Sequence, residues 1–266
     1  MQPTAKCVVQ GASWTETFVD ISRDAYSIAG VLVEPEAAWR EAIVICGSLL
    51  DHRKHMYRDL AMLARVLAQA GIATLRFDYS GFGESAGQAE QADLASFVDD
   101  AEACLCWLRA ERPASSISCI GVGLGAIIAA HAVARSEPTP LIACQPLWQI
   151  ETIQRGPFQR KPLYDGRIVD VNGYRIGQRL YRQLTANEWR QNFPPTAHIG
   201  APTLLMHVQD GPSADAAQIY QELLERSGRA VVVHAFRAAR FWLSAELPLP
   251  VAEVCRCICE WLPGYG

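Results

Sequence analysis

Hydrophobic and polar positions along the chain follow two alternating regimes. Continuous apolar runs stand at 42–46 (Ala-Ile-Val-Ile-Cys), Ile72–Phe77, 117–120, Leu141–Cys144, Thr203–Val208 and 230–236. Runs of this kind, without polar alternation, predict strands buried on both faces. Between them, apolar residues recur at helical spacing. Residues 53–70 carry Met56, Leu60, Leu63, Ala64 and Leu67 and close on Gly71. Residues 93–109 carry Leu94, Phe97, Val98, Ala101, Leu105 and Leu108 on one side. An Ala-rich run after Gly125, then 215–226 and 241–262, complete the predicted helices, the last interrupted near Pro248 and Pro250. Ahead of all this, 14–22 and 26–34 alternate loosely and carry β-branched and aromatic residues, which predicts an antiparallel pair. Strands alternating with helices predict an α/β fold with a doubly wound, mostly parallel sheet and antiparallel N-terminal strands. From 148 to 200 the periodicity weakens, and Pro, Gly, Arg and aromatic residues dominate. That stretch predicts an irregular excursion over the sheet edge, placed to act as a lid.

Composition narrows the class. The 266 residues suit one domain, half of them apolar and a fifth charged. The formal charge of −4 comes without a basic stripe, so nucleic acid is not an expected partner. The first residues lack an apolar signal core, and the expected location is cytoplasmic. Residues 117–134 carry no Asp, Glu, Lys or Arg and are long enough to span a bilayer. Their glycines, the interior His131 and the surrounding strand–helix grammar argue against a membrane span. The nine cysteines form no C-x-x-C. Cys255, Cys257 and Cys259 fall on a predicted helix, where the first and third share a face and the second does not. They read as small buried hydrophobes rather than metal ligands, and no metal or other cofactor is expected.

The chemistry turns on 117–130. An apolar run passes through three alternating glycines straight into a helix, the grammar of the nucleophile elbow G-x-S-x-G. Here it reads Gly121-Val122-Gly123-Leu124-Gly125. Flanking glycines let a helix pack close behind a strand. The central residue occupies a strained conformation that Gly123 reaches at little steric cost, while removing the hydroxyl. Amides at the helix start still favour negative charge. A dinucleotide loop is the competing reading, but the spacing is not G-x-G-x-x-G and no acidic residue ends the next strand, near 141–145.

Residues 53–85 carry a resemblance. The pattern from Arg53 through Leu60-Ala61, Leu63-Ala64, Leu67-Ala68 and Gly71 to Asp78-Tyr79-Ser80-Gly81-Phe82-Gly83-Glu84-Ser85 resembles the serine aminopeptidase-type branch of the α/β-hydrolase superfamily, whose turn reads D-Y-R-G-x-G-x-S. The likeness covers most of the chain in order and implies the α/β-hydrolase fold. More narrowly, the chain resembles the exosortase A system-associated hydrolases of the second type, in 121–126, Gln145-Pro146, Val171-Asn172-Gly173-Tyr174 and Phe241-Trp242. That resemblance implies a role near exopolysaccharide production and protein sorting.

In this fold the triad follows the order Ser, Asp or Glu, His. The nucleophile position holds Gly123 and is inactive. Asp210, in the loop after Thr203–Val208, stands at the acid position. Arg240 stands at the base position, where an always-protonated guanidinium cannot act as a base. An Asp210–Arg240 ion pair is expected in place of the acid–base contact. The oxyanion amides are expected from Leu124 and the Ser48–Leu49 region, with Asp51, His52 and His55 at the mouth of the site. Cys46, Cys119 and His234 read as packing residues. Two functions stay open from these residues. One is a non-hydrolytic protein that binds a small acyl, ester or anionic ligand under the excursion. The alternative is an esterase or thioesterase working through Asp210 or the Ser48, Asp51 and His52 cluster. A third, blander one is a scaffold for a protein partner.

Overall fold

Three antiparallel strands, Val8–Gln10 (β1), Trp14–Arg23 (β2) and Tyr26–Pro35 (β3), open the chain. The computed structural model describes residues 8–11, 13–23, 26–112, 114, 116–146, 163–171, 173–185, 201–208, 214–226, 228, 230–236 and 251–262. β3 hands over antiparallel to Ile72–Phe77 (β5), and from there the sheet is parallel. It continues through Glu41–Cys46 (β4), Ser116–Val122 (β6), Leu141–Cys144 (β7), Thr203–Val208 (β11) and Val231–Phe236 (β12), in the order β1-β2-β3-β5-β4-β6-β7-β11-β12. The expected doubly wound sheet with an antiparallel start is what forms.

Helices cover both faces. Leu94–Glu111 (α2) and Gly125–Arg135 (α3) pack one face through Phe97, Leu105 and Ile128, joined by Tyr220 and Leu224 of Ala214–Arg226, here α5. Leu50–Gln69 (α1) and Val251–Trp261 (α6) pack the other through Leu63, Leu67, Ile258 and Trp261. The continuous apolar runs are explained by this double cover. From Ala42 to Cys46 no residue is more than 1% exposed. Each buried Val, Leu, Ile or Phe of this kind contributes about 1.5–3 kcal/mol. α2 starts on a capping box: Asp93 accepts from the Ser96 amide, and the Ser96 hydroxyl accepts from the Asp93 amide.

The parallel register brings the ends of β4, β6 and β7 level to within one residue, with β11 running on two residues past them. Cys46 pairs with Gly121, Val122 with Cys144, and Cys144 with Met206. The turns that follow β4, β6 and β7 therefore meet at one place.

Two expectations need correction. α1 starts at Leu50, three residues before the predicted 53. The excursion is not irregular throughout: Leu163–Asp165 (β8), Ile168–Val171 (β9) and Tyr174–Gly177 (β10) form a three-stranded antiparallel sheet, followed by Gln178–Thr185 (α4). Its Val169, Val171, Ile176, Leu180 and Leu184 join the core on the α2 side. Arg179 pairs with Asp93 at 3.0 Å, and the Leu94 amide donates to Gln183 Oε1 at 3.2 Å. The uncharged run 117–134 is divided between β6 and α3, and no helix among the described residues is long and apolar enough to cross a membrane.

Candidate functional site

β6 ends at Val122 and α3 begins at Gly125, so only Gly123 and Leu124 turn the chain. Gly123 has φ +60°, the left-handed region where an L side chain is strained. Its amide donates to the Cys144 carbonyl at 2.9 Å, which ties the turn to β7. The outer glycines answer a different need. A Cβ on Gly121 would lie 2.4 Å from Ala126 Cα, and one on Gly125 would lie 2.3 Å from the Cys46 carbonyl oxygen. Both contacts are with backbone, which cannot swing aside. The turn thus has the elbow geometry, and at its apex there is no side chain.

The loop after β4 faces this apex. The Leu124 amide, the first beyond the apex, donates to Ser48 Oγ across 3.4 Å. Ser48 is fully buried. The Tyr79 hydroxyl donates to the Gly47 carbonyl at 3.0 Å and pins the loop from the β5 side. Leu49 is the N-cap of α1 and has no side-chain oxygen to offer the first amides of that helix. At 3.4 Å the Ser48 bond is long, and a carbonyl or carboxylate oxygen would be a stronger acceptor for the same amide.

Sequence reasoning missed two features here. Leu50, after β4, has φ +55°, and Gln145, after β7, has φ +47°. Both are buried, and neither residue type takes this conformation readily. With Gly123 they place three left-handed residues at the ends of three neighbouring strands. Strained backbone of this kind collects at functional sites. No residue type in the sequence flags it, because Leu and Gln are not turn formers.

The thiols near the site are packed, not poised. Cys46 Sγ and Cys119 Sγ lie 3.7 Å apart in the core. Burial pushes the Cys46 thiol up, with the Cys119 contact adding to it, and burial raises Cys104 and Cys144 as well. A thiol held protonated is a poor nucleophile. Burial likewise raises the Tyr79 phenol. His234 lies within β12, as read from the sequence, with Nε2 3.3 Å from Cys257 Sγ and 4.0 Å from Glu253 Oε1. These two partners belong to α6, its ring also lies edge-on to Phe236 of β12 at 4.6 Å, and nothing described brings it to the apex. Among the described residues no group of three or more His, Cys, Asp or Glu is arranged to hold a metal ion.

Asp210 and Arg240, and with them the expected ion pair, lie outside the described residues. The backbone of Asp51 and His52 forms the first turn of α1; their side chains also lie outside. Of the sequence-predicted site, the structure brings together Gly123, Leu124, Ser48 and Leu49.

The second turn at this edge is 78–85. Its Ser80 amide and hydroxyl both donate to Asp100, which is fully buried and paired with Arg23 at 2.5 Å. Burial raises the Asp100 carboxyl, against the lowering pull of Ser80 and Arg23. Ser85 Oγ accepts from the Ala29 amide at 2.8 Å, and the Asp78 carboxylate accepts from the Glu84 amide at 3.1 Å. Sequence reasoning had the turn but not its tie to β2 and α2.

Residues 38–164 match the serine aminopeptidase, S33 family. No curated protein matches the sequence as a relative. Among solved structures, Est1E from Butyrivibrio proteoclasticus with ferulic acid bound is similar at a TM-score of 0.66 and 16% identity, over 93% of this chain and 98% of that one. The esterase Pf2001 from Pyrococcus furiosus is similar at 0.64 and 15%, over 100% and 99%. An α/β serine hydrolase homologue from Coxiella burnetii is similar at 0.58 and 15%, over 95% and 98%. At these identities the likeness is one of fold, and the chain has the α/β-hydrolase fold.

Proposed function

We propose that this chain is a non-hydrolytic member of its fold class, which binds a small acyl, ester or anionic ligand at the elbow instead of cleaving it. The observation that carries this is Gly123, at φ +60° on the apex of the turn, where an acyl-transfer enzyme needs a hydroxyl. Arg240 at the base position supports it from the sequence, since a guanidinium takes no proton. The ligand's oxygen takes the Leu124 amide by displacing the 3.4 Å bond to Ser48. The resemblance to the exosortase A system-associated hydrolases supports an accessory role in exopolysaccharide production.

A second reading is an esterase or thioesterase with a rebuilt site. What favours it is the place of Ser48, whose hydroxyl already touches the elbow amide, together with the likeness in fold to esterases. The test is a panel of short and medium acyl esters and thioesters with the purified protein, beside Ser48→Ala and Asp210→Asn. The expected result is no turnover above buffer, with saturable stabilisation by a carboxylate or ester. Turnover abolished by either variant would replace the first reading with the second.

A further inference from the structure

The three thiols of α6 fall into two settings. Side chains four apart on a helix lie one above the other, and Cys255 Sγ and Cys259 Sγ stand 3.8 Å apart. Cys257, between them in sequence, turns away and meets His234 Nε2 of β12 at 3.3 Å instead. Cys255 is buried in the layer that α6 packs against the sheet, and Cys259 is half-buried at its margin. The pair is therefore reached from solvent at the Cys259 end. The other close pair, Cys46 and Cys119 at 3.7 Å, has no such opening, since both residues are 0% exposed.

The helix limits what can join these sulfurs. Cβ atoms at this spacing are about 5–6 Å apart, and a disulfide needs about 3.5–4.5 Å. A direct bond would have to distort α6, whereas a bridge of one atom would not. Two metal–thiolate bonds of about 2.3 Å span the 3.8 Å present at an angle of about 110°, and span about 4.6 Å when the ion is linear. The linear case needs the sulfurs to part by about 0.8 Å, which rotation within the rotamer wells of both residues supplies.

The donor set decides which ion. Among the described residues no third His, Cys, Asp or Glu joins the pair as a ligand group. Zinc, which takes four ligands, and the oxygen-seeking divalent ions are left short of donors. Two thiolates and nothing else suit a soft ion of low coordination number. We propose that Cys255 and Cys259 form a two-thiolate site for one monovalent copper ion, each thiol giving up its proton to solvent as its sulfur binds. Copper keeps its oxidation state, so the step needs neither oxidant nor reductant. The site lies on the α1 face of the sheet, opposite α3, and is independent of any ligand or turnover at the elbow.

The test is anaerobic titration of the whole reduced protein with monovalent copper held by a chromophoric chelator, with zinc as the comparison ion. The protein is expected to withdraw one equivalent of copper and to gain a near-ultraviolet thiolate-to-copper absorption. Cys255→Ser and Cys259→Ser should each weaken binding by more than about a hundredfold, beyond the 10–100-fold that losing an outer-shell partner costs. Cys259 is half-buried, so that variant should keep its fold, which circular dichroism checks. Cys257→Ser, on the other side of the same helix, and Cys106→Ser, at an exposed position on α2, should leave the affinity unchanged. Copper left on the chelator would overturn the site, as would binding retained in both Cys255→Ser and Cys259→Ser. An equal loss in Cys257→Ser would also overturn it, and zinc bound as tightly as copper would show a fuller ligand shell than two thiols.

Discussion

The two turns that shape this edge of the sheet are built by opposite means. The elbow between β6 and α3 is held by exclusion. Its outer glycines sit where a Cβ would meet backbone at 2.3–2.4 Å, and its only described side-chain bond is the long one to Ser48. The 78–85 turn is held by saturation. Ser80, Ser85 and Asp78 each spend a side-chain oxygen on it, and a buried Asp100–Arg23 pair anchors it. Exclusion leaves the apex residue free to be anything that tolerates its φ. Saturation makes nearly every polar residue necessary. A turn of the first kind can lose its chemistry and keep its shape.

The contrast is broken most severely at Asp100. Asp100→Ala leaves Arg23 and the Ser80 amide and hydroxyl without their acceptor in the core. A loss of about 3–5 kcal/mol is expected, the cost of removing one partner from a buried pair. Chemical denaturation measures it, and a loss under about 1 kcal/mol would show that the turn does not depend on saturation. Gly125→Ala is the counterpart for the elbow. One methyl against the Cys46 and Gly47 carbonyls should cost about 2–3 kcal/mol as overpacking. A neutral result would mean the helix can withdraw from β4, and exclusion would not be what holds the turn.

A third measurement uses pH. Burial, with Arg135 nearby, lowers the His131 pKa on α3 from 6.5 to about 4. The unfolded chain takes this proton more readily than the folded one. His131 therefore contributes fully above pH 6.5, and that contribution is lost as pH falls from 6.5 toward 4, on the order of 2–3 kcal/mol. His131→Gln should flatten the stability profile across that interval, and an unchanged slope would assign it elsewhere. The smallest effect is expected at the apex. Gly123→Ser costs about 1 kcal/mol for a side chain at φ +60°, and without a base at 240 it should gain no ester hydrolysis. A stability loss as large as that of Gly125→Ala would erase the distinction between apex and flanks.

How much was readable beforehand follows from the same physics. β5, β7 and β11 stand where continuous apolar runs put them, because strands buried on both faces carry the pattern in every residue. The elbow was readable because three glycines at alternate positions have few other uses. The sheet of β8 to β10 was not, because strands of three and four residues are too short to show a period. The first turn of α1 was hidden because Asp51-His52-Arg53 carries no apolar residue to extend the helical spacing that begins at Met56.

The outer glycines of the elbow bear on how such a chain drifts over generations. Substitution at Gly121 or Gly125 is opposed by folding itself, so selection for a folded protein preserves both whether or not any reaction depends on them. The apex is under no such guard, since only its φ is required. A lineage released from hydrolysis would therefore keep the outer glycines and the helix behind them while the middle residue wandered, and the surviving pattern would record ancestry rather than present activity.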